Sequence, residues 1–269
     1  MAKKQKTVTT TTTTTVVTTT SEVKPKEVYD FFVMDRSGSM STICDSTISG
    51  FNEYLNKAKQ DAALPGVKSY TSVLLFDDEF ILKNDFTPTQ EVEQLTRKTF
   101  VPRNGTALND ATAKAIALLR ARLAGREGAD DVDVTITVMT DGMENQSQEF
   151  KANSPWDPSN HKLTALIKQM RSDFGWTIAF VGAGDPTQVQ HTAKAYGIDL
   201  SNVKSYNANP HETLNMMHDV ALARSAKTTN FAHFGTKCST GYMTNTIQPV
   251  SEDDTTDPTN ITTTSTSNP

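Results

Sequence analysis

The chain has 269 residues, of which 36% are hydrophobic, and carries a formal net charge of −5. This is enough apolar material for one domain of about 200 residues with tails. The charge is neither strongly basic nor gathered on a basic segment, so nucleic acid is not an expected partner. No apolar run reaches the roughly 18 residues that a membrane-spanning helix requires, so we expect no membrane partner either.

The two ends of the chain are of low complexity. Residues 7–20 are almost all threonine, and residues 251–269 are rich in Thr, Ser, Asn and Asp. Such segments lack the apolar side chains of different sizes that fill a packed core. We therefore predict a disordered Thr-rich tail over residues 1–25, a folded domain over residues 26–227 and a C-terminal extension over residues 228–269. The alternative for the threonine tract is strand-like pairing with a partner or with another copy.

The first residues of the chain bear on its cellular location, and the two cysteines bear on metal binding and reactivity. The basic start is followed by threonines rather than by the apolar region of a secretory signal, so an intracellular protein is expected. Cys44 and Cys238 lie far apart and show no metal-ligand spacing. We expect Cys44 to be a small buried side chain rather than a reactive thiol.

Between the tails, short β-rich segments alternate with segments of helical periodicity. In chain order the predicted elements are a strand at 28–34, a helix at 47–63, strands at 72–76 and 80–82, a helix at 108–123, a strand at 132–139, a helix at 161–172, a strand at 176–181, a helix at 187–196, a weak strand at 203–206 and a helix at 212–223. This alternation predicts an α/β fold with a doubly wound, mostly parallel sheet flanked by helices. Only three residues join the second and third strands, which are therefore the expected antiparallel pair at one edge.

Oxygen-bearing side chains follow the first predicted strand. Asp35, Ser37 and Ser39 form an Asp-x-Ser-x-Ser run on one tight turn. Hydroxyl and carboxylate oxygens are the ligands that a hard cation such as Mg²⁺ takes in proteins. The alternative is that Ser39 or Ser41 caps the helix that begins near Ile43.

Two further loops carry similar chemistry. Thr106 precedes the helix at 108–123, and Asp141 follows the strand at 132–139 within Thr140-Asp141-Gly142. Taken singly, Thr106 could be a helix cap and Asp141-Gly142 a turn. In a doubly wound sheet, however, ligands bind outside the carboxyl ends of the strands, where such loops become neighbours. The three loops together therefore predict one cation site.

The order of these motifs resembles the von Willebrand factor A (vWA) domain and its metal-ion-dependent adhesion site. That site has the pattern Asp-x-Ser-x-Ser, a later Thr and a later Thr-Asp-Gly. Further segments are similar to a bacterial and bacteriophage vWA subgroup, namely 34–40, 48–52, 105–111, 140–145 and 175–183. The resemblance implies a Rossmann-like vWA fold for the central part of the chain and leaves the tails outside it.

The resemblance also implies the ligands of the ion. Ser37, Ser39 and Thr106 are expected to bind Mg²⁺ through their hydroxyls, and Asp35 and Asp141 to act directly or through water. Mn²⁺ and Ca²⁺ are alternative ions. One coordination position is left for an Asp or Glu of a protein partner, and few anionic ligands leave the ion electrophilic towards it.

Other residues near the motifs receive secondary interpretations. Arg36, Gly38 and Met40 are expected to line the partner-binding face, although Gly38 could serve turn geometry alone. Asp110 and Glu144 are interpreted as outer or helix-end residues rather than as ligands.

The sequence favours a non-enzymatic, cation-dependent protein interaction module, and we assign no catalytic residue. Ser37 does not lie in Gly-x-Ser-x-Gly, and no histidine accompanies a Cys or an acid at a recognisable spacing. The run Gly182-Ala183-Gly184-Asp185 lacks the third glycine of a dinucleotide loop and is interpreted as a turn. An ATPase would be a separate partner, of the AAA+ type.

Two alternatives stay open. One is a virion-associated or assembly protein that uses the vWA scaffold and the Thr-rich tails, and the other is a metal-dependent hydrolase in which the ion activates water. The expected location is the bacterial or host cytoplasm, or the virion.

Two C-terminal segments carry hypotheses of their own. An acidic residue of the tail could occupy the open metal position of its own or a neighbouring molecule, the candidates being Glu252, Asp253, Asp254 and Asp257. The stretch Phe231–Met243 holds enough apolar surface to dock on the domain or on another molecule.

Overall fold

A computed structural model describes residues 24–154 and 157–244. The Thr-rich tail and the acidic residues of the C-terminal tail lie outside the described residues. No helix in the described part of the chain is long and apolar enough to cross a membrane.

Six strands form one sheet in the order β3-β2-β1-β4-β5-β6. Their bounds are Lys26–Asp35 (β1), Val67–Phe76 (β2), Phe80–Pro88 (β3), Val132–Thr140 (β4), Thr177–Ala183 (β5) and Val203–Tyr206 (β6). Every neighbouring pair is parallel except β2 and β3, which are antiparallel at one edge. The predicted fold class is confirmed.

Within the described residues, five α-helices cover the two faces of this sheet. They are Cys44–Asp61 (α1), Leu108–Arg122 (α2), His161–Phe174 (α3), Pro186–Ala195 (α4) and Pro210–Phe234 (α5). Because side chains alternate along a strand, Phe31 and Val33 of β1 enter the core shared with α2, α3 and α4. Phe32 and Met34 enter the core shared with α1 and α5. The central strands are thus buried on both faces, as their continuous apolar runs predict.

Helix α5 is longer than predicted. It runs past Ala223 to Phe234 and is followed by Gly235, whose backbone is in the left-handed conformation. Arg224 and Lys227 interrupt the apolar pattern but are 1% and 2% exposed. Lys227 Nζ lies 2.8 Å from Asp133 Oδ2 in β4. The helix therefore continues through the predicted boundary at 227.

Arg224 is held by acidic groups of two other elements. Its Nε donates to Asp30 Oδ2 of β1 and its Nη1 to Asp61 Oδ2 of α1, both over 2.9 Å. Nη2 donates to Ser69 Oγ over 2.9 Å. A buried guanidinium with these partners ties α5 to β1, β2 and α1.

The segment that follows α5 packs on its own domain. Phe231 and Tyr242 are fully buried. Asn202 Nδ2 donates to the carbonyl oxygen of Ser239 over 2.7 Å, and the amide of Tyr242 donates to Asn202 Oδ1 over 2.9 Å. Phe231 and Tyr242 thus dock on the domain itself, whereas Phe234 of the same stretch is 48% exposed.

Both cysteines are free and half-buried. Cys44 packs against the core under α1. Burial raises the pKa of its thiol, and the neighbouring Asp45 adds to this effect. A raised thiol pKa agrees with a packing role rather than with a reactive nucleophile.

Candidate metal centre

The predicted site lies where β1 and β4 end side by side. Met34 of β1 pairs with Met139 of β4, so the residues that follow, Asp35 and Thr140, end their strands side by side. The loop of residues 103–107 packs beside these strand ends. Its Asn104 carbonyl oxygen accepts a hydrogen bond from the amide of Gly38 over 3.1 Å. Three loops distant in sequence thus meet at the carboxyl edge of the sheet.

Asp35 is fully buried, and both of its carboxylate oxygens are oriented by hydrogen bonds. Oδ1 accepts from the amide of Ser37 and Oδ2 from Thr140 Oγ1, each over 2.6 Å. Burial raises the pKa of Asp35 to about 6, against the effect of these two hydrogen bonds, and the charge of Asp141 adds to the rise. The carboxylate therefore lies in a place where a positive charge would stabilise it.

The two serines of the turn connect Asp35 to Asp141. Ser37 Oγ lies 3.1 Å from Ser39 Oγ, and Ser39 Oγ donates to Asp141 Oδ1 over 2.7 Å. Burial also raises the pKa of Asp141, and the hydrogen bond from Ser39 opposes the rise. The two carboxylates therefore share one half-enclosed space with the hydroxyls.

Thr106 completes this cluster from the third loop. A Cβ atom built on Gly142 would lie 3.3 Å from Thr106 Oγ1, 3.7 Å from Ser39 Oγ and 3.8 Å from Asp35 Oδ2. Oxygens of three loops therefore surround one point, and the glycine leaves that space open. All five residues that the sequence singles out are brought together here.

The alternative that Ser39, Ser41 or Thr106 serves as a helix cap is not what the structure shows. Ser37 precedes a 3₁₀ helix over Gly38–Ile43, and Ile43 precedes α1, but neither helix has a side-chain cap. Helix α2 is preceded by Ala107 and likewise lacks a side-chain cap. The hydroxyls of Ser39 and Thr106 are therefore not used to cap these helices.

The position of Thr106 is fixed by Asn145, for which the sequence suggested no role. The amide of Thr106 donates to Asn145 Oδ1 over 2.9 Å. The amides of Asn145 and Gln146 donate back to the carbonyl oxygen of Thr106, over 3.0 and 3.1 Å. The only available signal was the place of Asn145 shortly after Thr140-Asp141-Gly142.

Glu144 and Asp110 tie the loop after β4 to the start of α2. The Glu144 carboxylate accepts from the amides of Asn109 and Ser147, both over 2.8 Å. Asp110 accepts from the amide of Phe150 over 2.7 Å. These contacts agree with the helix-end interpretation of both acids.

The expected partner-binding face needs a correction. Arg36 is buried, with Nη2 3.1 Å from Asp77 Oδ2, and Met40 is fully buried in the core. The prediction that these two residues line the face was wrong, because the turn becomes a 3₁₀ helix that directs Met40 inward. Gly38 is exposed as predicted. Its conformation is not left-handed, and an added Cβ would lie at an ordinary 3.5 Å from the carbonyl oxygen of Asn104.

The donor set fits a hard divalent cation. Three hydroxyls and two carboxylates supply oxygen ligands for such an ion. A hydroxyl that binds an ion through its oxygen still needs a hydrogen-bond acceptor for its proton. Ser39 has that acceptor in Asp141. In the ranges 24–154 and 157–244, no group of three or more His, Cys, Asp or Glu side chains is arranged to hold a metal ion. Cation binding here would therefore depend on the hydroxyls.

A cavity of about 340 Å³ opens next to the cluster, between the ends of β4 and β5 and helix α4. Asp141 and Gly142 line its near side, and Phe180, Val189 and Tyr196 line its far side. On its rim Met143 is 64% exposed. The surface around the cluster thus combines oxygen donors with accessible apolar groups.

No histidine of the described residues lines the cavity beside the cluster, whereas the run from Gly182 to Asp185 does. His161, His191, His211, His218 and His233 are all exposed, on α3, α4 and α5. The run from Gly182 to Asp185 ends β5, and Asp185 Oδ1 caps α4 by accepting from the amide of Thr187 over 2.9 Å. The turn interpretation of that run is confirmed.

Comparison with solved structures supports the fold. No protein-family model and no curated protein matches the sequence. The pilus adhesin SpaC from Lactobacillus rhamnosus GG is similar with a TM-score of 0.55 and 13% identity, over 77% of this chain and 30% of that one. The vWF domain of the type V pili tip protein Mfa5 from Porphyromonas gingivalis has a TM-score of 0.51 and 16% identity, over 74% and 95%.

A third similar structure is proximal thread matrix protein 1 from the mussel byssus, with a TM-score of 0.48 and 17% identity over 73% of this chain and 46% of that one. The chain therefore spans less than half the length of that protein and of SpaC. At these identities the similarity concerns the fold alone. The prediction of a vWA fold is confirmed, and the bacteriophage subgroup stays a prediction.

Proposed function

We propose that this vWA-fold protein is a non-enzymatic, divalent-cation-dependent protein interaction module. A Mg²⁺ ion, or Mn²⁺ or Ca²⁺ in its place, is held by Asp35, Ser37, Ser39, Thr106 and Asp141. The ion accepts an Asp or Glu side chain of a protein partner. The observation that carries the proposal is the meeting of Thr106 Oγ1, Ser39 Oγ and Asp35 Oδ2 within 4 Å of one point at Gly142.

The charge of the donor set explains why a partner acid would be attracted. Only Asp35 and Asp141 carry charge, and the three hydroxyls are neutral. Each carboxylate is already engaged by hydroxyl or amide donors, which withdraw part of its charge from the ion. A divalent ion in this site therefore retains attraction for one more anionic oxygen.

The surroundings favour a protein rather than a small ion as the bound species. Ser39 and Gly38 are exposed, and the cavity beside Asp141 offers apolar walls to the residues that flank the acid. SpaC is described as a pilus adhesin and Mfa5 as a pili tip protein, which supports an interaction role for the shared fold. An AAA+ ATPase or a virion component is the partner class we propose, in the bacterial or host cytoplasm or on the virion.

The exposed histidines give no support to the hydrolase alternative, since none of them lies among the site residues. A virion or assembly role stays compatible with the same surface, because the partner of an interaction module can be a structural protein.

A selection of random peptides displayed on phage tests the proposal. The protein is immobilised in Mg²⁺ or in EDTA, as wild type, Thr106→Ala and Thr112→Ala. Thr112 is a buried threonine whose Oγ1 donates to the carbonyl oxygen of Leu108 within α2, so it controls for the loss of a threonine hydroxyl. We expect Asp- or Glu-containing peptides only in Mg²⁺ and only from wild type and Thr112→Ala. Recovery of the same peptides in EDTA contradicts the proposal.

A further inference from the structure

Tyr206 carries a buried hydroxyl without a hydrogen-bond partner among the described residues. The residue ends β6 and is 4% exposed. A buried phenol normally finds a partner, because leaving a polar group unsatisfied costs the loss of its hydration. The packing of the described residues therefore provides no hydrogen-bond partner for this hydroxyl.

The strand register places Tyr206 at the level of the candidate metal centre. Thr140 of β4 pairs with Gly182 of β5, so Asp141 leaves the sheet at the level of Ala183. Ala183 pairs with Tyr206. The aromatic ring packs in the core cluster that also holds Met34 and Met139, which immediately precede the last residues of β1 and β4.

The two carboxylates of the site act on this phenol. Burial is the main reason why the pKa of Tyr206 is raised, and the charges of Asp141 and Asp35 raise it further. The field of both site acids thus reaches this phenol.

We infer that Tyr206 is a positioning residue of the metal centre, whose hydroxyl donates a hydrogen bond to the oxygen ligands of the bound cation on the side of Asp141. The inference rests on the proposed function. A hydrogen-bond donor in a low-dielectric setting stabilises an anionic oxygen and helps to orient it. The same bond would give the buried Tyr206 hydroxyl its partner.

Tyr242 provides a matched control. It is another fully buried tyrosine, and Thr137 interacts with its hydroxyl. The charged groups that act on it are Asp30, Arg224 and Asp133, under α5 rather than at the metal centre. Tyr206→Phe and Tyr242→Phe therefore make the same chemical change in two buried places, only one of which faces the site.

Isothermal titration of Mg²⁺ into the full chain measures the expected effect. Tyr206→Phe should weaken Mg²⁺ affinity roughly tenfold, and Tyr242→Phe should leave it within about twofold of wild type. The melting temperature of metal-free Tyr206→Phe should equal or exceed that of wild type, because the change removes an unsatisfied group.

Terbium luminescence gives a readout that does not depend on affinity. With Tb³⁺ at saturation and excitation of tyrosine, Tyr206→Phe should lower the sensitised emission, with Tyr196 on the cavity wall beside Asp141 supplying the remainder, whereas Tyr242→Phe should leave the emission unchanged. Equal Mg²⁺ affinity and equal emission in the two variants overturn the inference and leave the proposed function standing. Absence of any cation binding by wild type overturns both.

Discussion

Ser39 Oγ donates a hydrogen bond to Asp141 Oδ1 over 2.7 Å, although 102 residues separate the two in the chain. The bond joins the turn after β1 to the turn after β4 and gives the serine proton an acceptor. The oxygen lone pairs of Ser39 are thereby directed away from Asp141. A cation that enters the cluster would thus meet donors that are already oriented, which lowers the cost of ordering them.

Gly142 is expected to be required for the open space at the centre of the cluster. In Gly142→Ala the new methyl group would lie 3.3 Å from Thr106 Oγ1 and 3.7 Å from Ser39 Oγ. Mg²⁺ tolerates little distortion of its ligands, so affinity should fall about tenfold or more. Isothermal titration checks this, with Gly38→Ala as the control because a methyl group there makes only an ordinary 3.5 Å contact with the carbonyl oxygen of Asn104. Equal losses in both variants would show that the methyl group does not act through the site.

Asn145 is expected to support Thr106 without touching the ion. Asn145→Ala removes the acceptor of the Thr106 amide and frees the loop that carries the hydroxyl. Cation affinity should fall about tenfold, as is common when a residue that holds a ligand in place is lost. Gln148→Ala, an exposed change in the same loop, should leave the affinity unchanged. An unaltered affinity in Asn145→Ala would contradict the role given to this residue.

Much of the fold follows from local patterns, and the exceptions have a common cause. The apolar patterns locate the six strands and five α-helices of the described residues, because most of these elements bury apolar side chains against the two cores. The end of α5 is missed since Arg224 and Lys227 are polar by type, and their buried partners come from distant elements. The length of β3 is missed because Lys83 and Asp85 lie on a half-exposed edge strand, where polar residues are tolerated.

The candidate site could be predicted in its residues but not in its surroundings. The motifs place Asp35, Thr106 and Asp141 on loops that any doubly wound sheet brings together. The inward turn of Met40 and the role of Asn145 depend on the 3₁₀ helix and on loop contacts across 39 residues. Such contacts leave no periodic signal in the sequence.

The stability of the domain is expected to depend on the buried charges of α5. Arg224→Met leaves Asp30 buried without its cation and Asp61 with Lys57 alone, and the free energy of unfolding should fall by about 3–5 kcal/mol. Urea denaturation measures this fall. Arg120→Met, on the exposed side of α2, should change it by less than about 0.5 kcal/mol. A similar small effect in both variants would show that the buried pairs contribute little.

Met143 is expected to contact the partner rather than the ion. Its side chain is 64% exposed at the rim of the cavity beside Asp141. Met143→Ser should weaken binding of a selected acidic peptide by about 1 kcal/mol or more and leave Mg²⁺ affinity unchanged. Fluorescence anisotropy with a labelled peptide measures the first quantity, and titration calorimetry the second. Unchanged peptide binding would place the partner elsewhere.

The most direct test of the cation site is isothermal titration of Mg²⁺ into wild type, Ser39→Ala and Ser41→Ala. Ser39 and Ser41 are both exposed serines of the same 3₁₀ helix, but only Ser39 bonds to Asp141. We expect one Mg²⁺ per chain in wild type and in Ser41→Ala, with affinity lowered about 10- to 100-fold in Ser39→Ala. Identical isotherms for the three proteins, or no binding by wild type, would contradict the account.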